Sequence, residues 1–145
     1  MHNETIERVL AHKGDTVEAI APETSVLRAV ERMNECRIGS LVVCDGDRPI
    51  GIFTERDVLV RVVARGLDPK RTPVGEVMTR ELIAIRPDVT VTEAMLVITE
   101  RRCRHLPVVD DRGLRGMVSI GDLTRWLVRD REQTIEDLYE YLRRG

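Results

Sequence analysis

Aromatic side chains are nearly absent. The chain carries one phenylalanine, one tryptophan and two tyrosines in 145 residues. That is too few for the stacking platform that holds single-stranded nucleic acid. Neither sign of charge dominates: 23 lysines and arginines against 25 aspartates and glutamates leave a formal net charge of −2. The balance is even along the chain, with 11 bases and 12 acids in residues 1–72 and 12 and 13 in residues 73–145. A protein that tracks phosphates concentrates its basic charge, so no nucleic-acid partner is expected. Long apolar runs are missing too. Nothing approaches the ~20 residues that cross a bilayer, and no membrane partner is expected. The polar start Met1-His2-Asn3-Glu4-Thr5-Ile6-Glu7 has no secretory apolar region, which predicts a cytoplasmic chain. Cys36, Cys44 and Cys103 are odd in number and form no C-x-x-C, so free thiols are expected. His2, His12 and His105 have no zinc spacing with them, and no metal is expected.

What is present is an internal repeat. An offset of 65 positions aligns Ala19-Ile20 with Ala84-Ile85, Pro22 with Pro87, Val26 with Val91 and Ala29 with Ala94. It also aligns Val9 with Val74, Leu41 with Leu106, Val43 with Val108, Gly51 with Gly116 and Asp57 with Asp122, with no gap. Repeats decide architecture. Gly66–Thr72 reads as the linker, giving residues 1–67 as an N-terminal helix with the first repeat and residues 68–145 as the second repeat with a C-terminal helix.

Both copies share one grammar. Thr16–Ile20 and Glu81–Ile85 read as short strands. Ser25 or Thr24 caps a helix with Val26, Ala29, Val30 and Met33 on one stripe, and Thr90 caps one with Val91, Ala94, Met95 and Ile98. Strand pairs Leu41–Cys44 with Ile50–Phe53, and Leu106–Val109 with Leu114–Val118, follow across short turns. Helices over Glu55–Ala64 and Ile120–Val128 close each unit. The predicted fold is α/β (α+β): two tandem β-α-β-β-α repeats around a pseudo-twofold axis. Ile6, Val9 and Leu10 suggest an N-terminal helix. Ile135, Leu138, Tyr139 and Leu142 suggest a C-terminal one after the polar run Arg129–Gln133.

The most informative residues are Gly51-Ile52-Phe53-Thr54-Glu55-Arg56-Asp57 and Gly116-Met117-Val118-Ser119-Ile120-Gly121-Asp122. Each reads Gly, two apolar residues, a hydroxyl and an Asp three positions later, at a strand-to-helix junction. Two chemistries fit. The hydroxyl and the acid can form a capping box. Alternatively, unpaired N–H groups at the helix start attract a phosphate, and the carboxylate accepts the vicinal hydroxyls of a ribose. Aspartate in both copies, where glutamate would suit a capping box better, favours a ligand.

This combination, with Val77-Met78-Thr79 and Arg104-His105-Leu106-Pro107-Val108-Val109-Asp110, resembles a tandem pair of cystathionine-β-synthase-type (CBS) domains, a Bateman module. The resemblance runs from about Val9 to Asp130 and leaves no catalytic domain over. It implies a regulatory sensor without catalysis that binds an adenosine ligand between the repeats: AMP foremost, with ADP, ATP, NAD or S-adenosylmethionine as alternatives. Carried over, Ser119 and Asp122 would work with Lys13–Ala19 and Ile38-Gly39-Ser40, and Thr54 and Asp57 with Thr79–Ala84 and Cys103-Arg104-His105. Glu18 and Ile83 would offer backbone contacts to adenine, and Phe53 and Val118 would line an apolar floor. Arg104 and His105, whose first-copy counterparts are Gly39 and Ser40, would feed the phosphate, helped by Lys13 or Arg56. The resemblance also implies a homodimer and a regulated partner protein of unknown identity.

Two other readings remain open at this stage. In one, the clefts are empty and the module serves protein interaction or dimerisation. In the other, Cys103 and His105 serve catalysis, although no nucleophile–base pair, metal cluster or P-loop lysine supports an enzyme.

Overall fold

The computed structural model describes residues 4–14 and 17–144, with backbone alone at 130–134, 137, 138, 141 and 144. A first helix, α1 (Ile6–Lys13), precedes β1 (Ala19–Ile20), α2 (Val26–Cys36), β2 (Ser40–Asp45) and β3 (Arg48–Thr54). The chain then turns into α3 (Glu55–Asp57), which continues as the π-helical turns Val58–Val63. A short α4 (Val74–Val77) opens the second half, followed by α5 (Val91–Arg101), β4 (His105–Asp110), β5 (Gly113–Ser119) and α6 (Ile120–Arg144).

The duplication is exact in register. β2 pairs antiparallel with β3 through Ser40–Thr54, Leu41–Phe53 and Val43–Gly51. β4 pairs with β5 through His105–Ser119, Leu106–Val118 and Val108–Gly116. Both ladders carry a bulge at the same place, Val43/Cys44 and Val108/Val109. The expected strand Glu81–Ile85 is reduced to one parallel bridge, Ile85 to Val108, at the register of β1's Ile20 to Val43. Of the expected strand Thr16–Ile20, β1 retains Ala19–Ile20, and Thr16 lies outside the described residues. Ser25 and Thr90 cap α2 and α5 through their side-chain oxygens. Both helices stop at an arginine in the left-handed region, Arg37 and Arg102, a conformation that ends a helix.

Each repeat has its own apolar core. Val26, Ala29, Leu41, Val43 and Phe53 fill the first, and their counterparts Val91, Ala94, Leu106, Val108 and Val118 fill the second. The entry helices are exchanged between them. Ile6, Val9 and Leu10 of α1 pack into the second core, whereas Val74 and Val77 of α4 pack into the first. Backbone bonds fix both: Ile6 N–H donates to Val89 O at 2.8 Å, and Val74 N–H donates to Thr24 O at 2.8 Å. Each repeat thus completes its core with a segment from across the boundary, which locks the two together.

These bonds also correct the gapless alignment. Val89 and Thr24 keep the 65-residue offset, but Ile6 and Val74 lie 68 apart. The eight-residue α1 has one turn more than the four-residue α4. Two signature glycines are explained by the same packing. A Cβ at Gly51 would fall 2.7 Å from Met78 Sδ and 2.8 Å from Thr79 O, and one at Gly116 would fall 2.9 Å from Leu10 Cδ2. Close approach to the Thr79 carbonyl, rather than an unusual backbone angle, demands glycine at Gly51, while at Gly116 an added Cβ would displace the Leu10 side chain.

A second correction concerns the C-terminus. The polar run Arg129–Gln133 was expected to interrupt the helices, but α6 passes through it unbroken. Arg, Asp, Glu and Gln tolerate a helix interior, and neither Gly nor Pro occurs there to stop it. The side chain of Leu138, expected on the apolar stripe, lies outside the described residues.

Candidate functional site

Strand parity decides which side chains reach a ligand. Alternate residues of β3 face opposite sides. Phe53 is wholly buried in the first core and Val118 in the second. Neither lines an apolar floor as expected; the neighbouring Ile52 takes that place. Strand β3 lies against β5 of the second repeat. The chain entering the second repeat pairs with β3 through an antiparallel bridge, Ile52 N–H to Thr79 O at 3.0 Å and Thr79 N–H to Ile52 O at 2.8 Å.

A cleft of about 540 Å³ opens beside this bridge. From the first repeat it is lined by Gly39, Ile52, Thr54, Glu55 and Arg56. Beyond the linker it is lined by Thr79, Glu81, Ile83, Arg101, Arg102, Cys103, Arg104 and His105. Of the residues proposed from the sequence, Thr54, Thr79, Ile83, Arg104 and His105 therefore meet in one place. Gly39 joins them, although the expectation set it with Ser119 and Asp122. Ile38 lines an adjoining hollow of about 500 Å³ with Val30, Met33 and Leu59. Ser40 is buried in the strand ladder opposite Thr54. The Glu18 carboxylate accepts from Arg32 Nη2 at 2.6 Å, and its carbonyl accepts Val42 N–H at 3.1 Å. That carbonyl is engaged in the sheet rather than turned to an adenine.

The two aspartates behave alike at their own helices. Asp57 Oδ2 accepts Thr54 N–H at 3.0 Å while Thr54 Oγ1 accepts Asp57 N–H at 3.2 Å. Asp122 Oδ2 accepts Ser119 N–H at 2.8 Å while Ser119 Oγ accepts Asp122 N–H at 3.1 Å. Both are capping boxes, so that reading of the signature is realised twice. Asp57 is buried and also accepts the Thr79 hydroxyl at 3.1 Å, with Arg61 Nε 3.7 Å away. Its carboxylate thus stands behind the cleft and holds two of its hydroxyl residues in place. Asp122 does not line the 540 Å³ cleft. Lys13 Nζ donates to its Oδ2 at 2.6 Å and Arg125 Nη2 to its Oδ1 at 2.8 Å. Neither carboxylate is free to grip a ribose in this arrangement.

Charge in the cleft is strongly one-sided. Arg56, Arg101, Arg102 and Arg104 face it against Glu55 and Glu81. Among the described residues, none of these four guanidiniums is paired with a carboxylate. Such groups recognise phosphate through paired N–H donors. Sequence reasoning missed Ile52, Glu55, Arg101 and Arg102, whereas Glu81 lies within the expected segment Thr79–Ala84. The alternation that buries Phe53 would have assigned Ile52 to the cleft together with Thr54. The arginines Arg101 and Arg102 carry no such period; the left-handed turn at Arg102 places them there.

The chain fits a known pattern. Family comparison matches the CBS domain twice, at residues 15–64 and 74–129. The chain belongs to the CBS-domain family. It is 37% identical to the mitochondrial CBS domain-containing protein CBSX3 of Arabidopsis thaliana, over 97% of this chain and 73% of that protein. It is 33% identical to the CBS domain-containing protein YhcV of Bacillus subtilis, over 74% of this chain and 76% of that one. Among solved structures, it resembles a CBS-domain protein from Burkholderia ambifaria MC40-6 proposed to act in signal transduction. There the TM-score is 0.82 at 38% identity, covering 87% of this chain and 95% of that one. A hexameric CBS-CP12 protein from bloom-forming cyanobacteria has a TM-score of 0.73 at 28% identity, covering 83% and 66%. Proteins built on tandem CBS domains are in general regulatory or signal-transduction modules. Among the described residues, no helix is long and apolar enough to cross a membrane.

Two titratable groups report on this CBS pair. Burial pushes the His105 imidazole below its usual 6.5; Lys13 and Arg104 add to the fall, while Asp122 and Glu55 oppose it. For Asp122, burial alone would raise the carboxyl, but the Lys13 ammonium and the Ser119 N–H outweigh it and hold the group below 3.8. The signs follow from proton linkage. A half-buried neutral His105 contributes stability above the ordinary histidine pKa, and this is lost as pH falls and the unfolded chain takes up the proton first. Asp122 contributes stability above the ordinary carboxylate pKa, lost as pH falls through its folded value. Resistance to urea should therefore fall in two stages as pH drops from neutrality. Asp122→Asn should flatten the acidic stage, and an unchanged acidic stage would contradict the Lys13–Asp122 assignment.

Proposed function

We propose that this CBS pair is a cytoplasmic regulatory sensor, without catalysis of its own, that binds an adenosine phosphate in the cleft between its repeats. The observation that carries the reading is the lining of that cleft. Ile52 and Ile83 offer apolar surface to a base, Thr54 and Thr79 offer hydroxyls to a sugar, and four arginines with no carboxylate partner among the described residues offer charge to phosphates. A volume of about 540 Å³ lies within the usual range of small-molecule sites. AMP is the first choice, with ADP and ATP next; NAD and S-adenosylmethionine share the adenosine. The arginines favour ligands that carry phosphate over S-adenosylmethionine, which has none. Binding would shift the relative angle of the repeats, or of two chains, to the extent that the ligand prefers one arrangement.

The free aspartate grip on the ribose is replaced in this reading. Asp57 becomes the group that positions Thr54 and Thr79, and Arg104 and His105 take the phosphate end. A second reading, self-association, is favoured by exposed apolar side chains on two helices: Leu59, Val60 and Val63 after α3, and Ile135, Tyr139 and Leu142 on α6. It is compatible with the first, and would join two modules into a homodimer that presents the cleft to a regulated protein.

Calorimetry should find micromolar binding of AMP or ATP, about −8 kcal/mol. Arg104→Ala should weaken it by about 1.5–3 kcal/mol, the scale of a charge-assisted hydrogen bond. No heat and no thermal shift with any adenine nucleotide, or unchanged affinity in Arg104→Ala, would remove the reading. For self-association, sedimentation velocity should give a dimer that Leu59→Glu combined with Val63→Glu splits; a wild-type monomer at all concentrations would exclude it.

A further inference from the structure

The two repeats do not offer two equal sites, and the difference is one side chain. In the first repeat the entry helix α4 ends at Val77. The chain then uncoils, and Thr79 takes the Ile52 carbonyl with its backbone N–H. Its hydroxyl takes Asp57. Thr79 thus supplies a backbone N–H and a short neutral hydroxyl, the nearby cation, Arg61 Nε, stays 3.7 Å from the carboxylate, and the space beside the locus stays open as the cleft.

The corresponding locus of the second repeat is Met117, Ser119 and Asp122. Here the entry helix is α1, which runs one turn longer before it ends at Lys13. Among the described residues no backbone N–H of the entry segment reaches the Met117 carbonyl. Instead Lys13 Nζ donates to Met117 O at 2.7 Å and to Asp122 Oδ2 at 2.6 Å. One ammonium thus takes both acceptors that in the first repeat belong to Thr79. Arg125 holds the remaining Asp122 oxygen. The hollow left at this end, about 410 Å³, is lined by Val9 and Trp126 as well as by charged side chains including Lys13, Asp122 and Arg125.

We propose that Lys13 is a resident occupant of the second locus and confines this module to one nucleotide per chain. The proposal rests on reading the first cleft as a nucleoside-phosphate site. The physical argument is competition. An ammonium 2.6 Å from a largely buried carboxylate forms a strong charge-assisted hydrogen bond. A ribose diol is neutral and gains no comparable attraction, so it cannot displace the ammonium without leaving a carboxylate under-paired. The extra helical turn, visible in the sequence only as three residues between the repeat's entry helix and first strand, is what delivers the lysine.

The test is binding stoichiometry. Wild-type protein titrated with AMP in a calorimeter should take up one equivalent per chain. Lys13→Ala, which keeps a good helix former at the end of α1, should take up two, and Asp122→Asn in that background should return it to one. Two equivalents in wild type, or one in Lys13→Ala, would overturn the proposal while leaving the nucleotide reading intact. No binding to wild type together with one equivalent in Lys13→Ala would keep the resident lysine and reject the open cleft. No binding to either protein would reject both.

A measurement on the wild-type chain guards against a variant that does not fold. The sequence contains two lysines, Lys13 and Lys70, and Lys70 makes no ion pair among the described residues. Reductive methylation followed by peptide mass spectrometry should modify Lys70 several-fold faster than Lys13, and the difference should vanish in Asp122→Asn. Equal rates in wild type would show that Lys13 is not held.

Discussion

The carboxylate of Asp57 is the joint on which the cleft depends. It is buried, and it accepts the Thr54 amide at the start of α3 and the Thr79 hydroxyl at the entrance to the second repeat. One group therefore fixes a helix terminus of one repeat to the chain that begins the next. A buried carboxylate is tolerated because its hydrogen bonds and the nearby Arg61 replace water. Among the described residues, no buried side-chain nitrogen or oxygen lacks a partner. Removing one partner of such a group typically costs about 3–5 kcal/mol, a large fraction of the roughly 5–15 kcal/mol that holds a domain folded. The acid thus positions Thr54 and Thr79, which line the cleft.

Exchange of the entry helices gives this joint its leverage. α1 completes the second core and α4 the first, so the repeats cannot separate without opening both. A cleft lined by two bodies that share their cores can rotate slightly but not come apart. That is a suitable platform for a ligand whose effect is a change of angle. It also explains why the two signature glycines meet the entry helices rather than a ligand: Gly51 faces Met78, and Gly116 faces Leu10.

Much of this was legible in the sequence. The repeat, the strand pairs and the capped helices follow from periodicity and from a 65-residue offset that holds wherever side chains must alternate or stack. The cleft was legible in part: the resemblance to a tandem CBS pair brought together Thr54, Thr79, Ile83, Arg104 and His105, which all line it. Phe53 and Val118 were misplaced because two apolar residues in a row leave strand parity ambiguous, and only tertiary packing decides which one faces the core. Glu18 was misjudged because a carbonyl next to a short strand is taken by the strand beside it. The aspartates carried two chemistries at one spacing, and local capping claimed them. The added turn of α1 was hidden, since a helix can lengthen without any change in the surrounding motif.

The central claim is that an adenosine phosphate lies between the repeats, with its base against Ile52 and Ile83. Intermolecular nuclear Overhauser effects between AMP and isoleucine methyl-labelled protein test this most directly. Contacts from the adenine protons to Ile52 and Ile83, absent for the buried Ile6 and Ile98, are the predicted result. Saturating AMP that gives contacts elsewhere, or none, would contradict it.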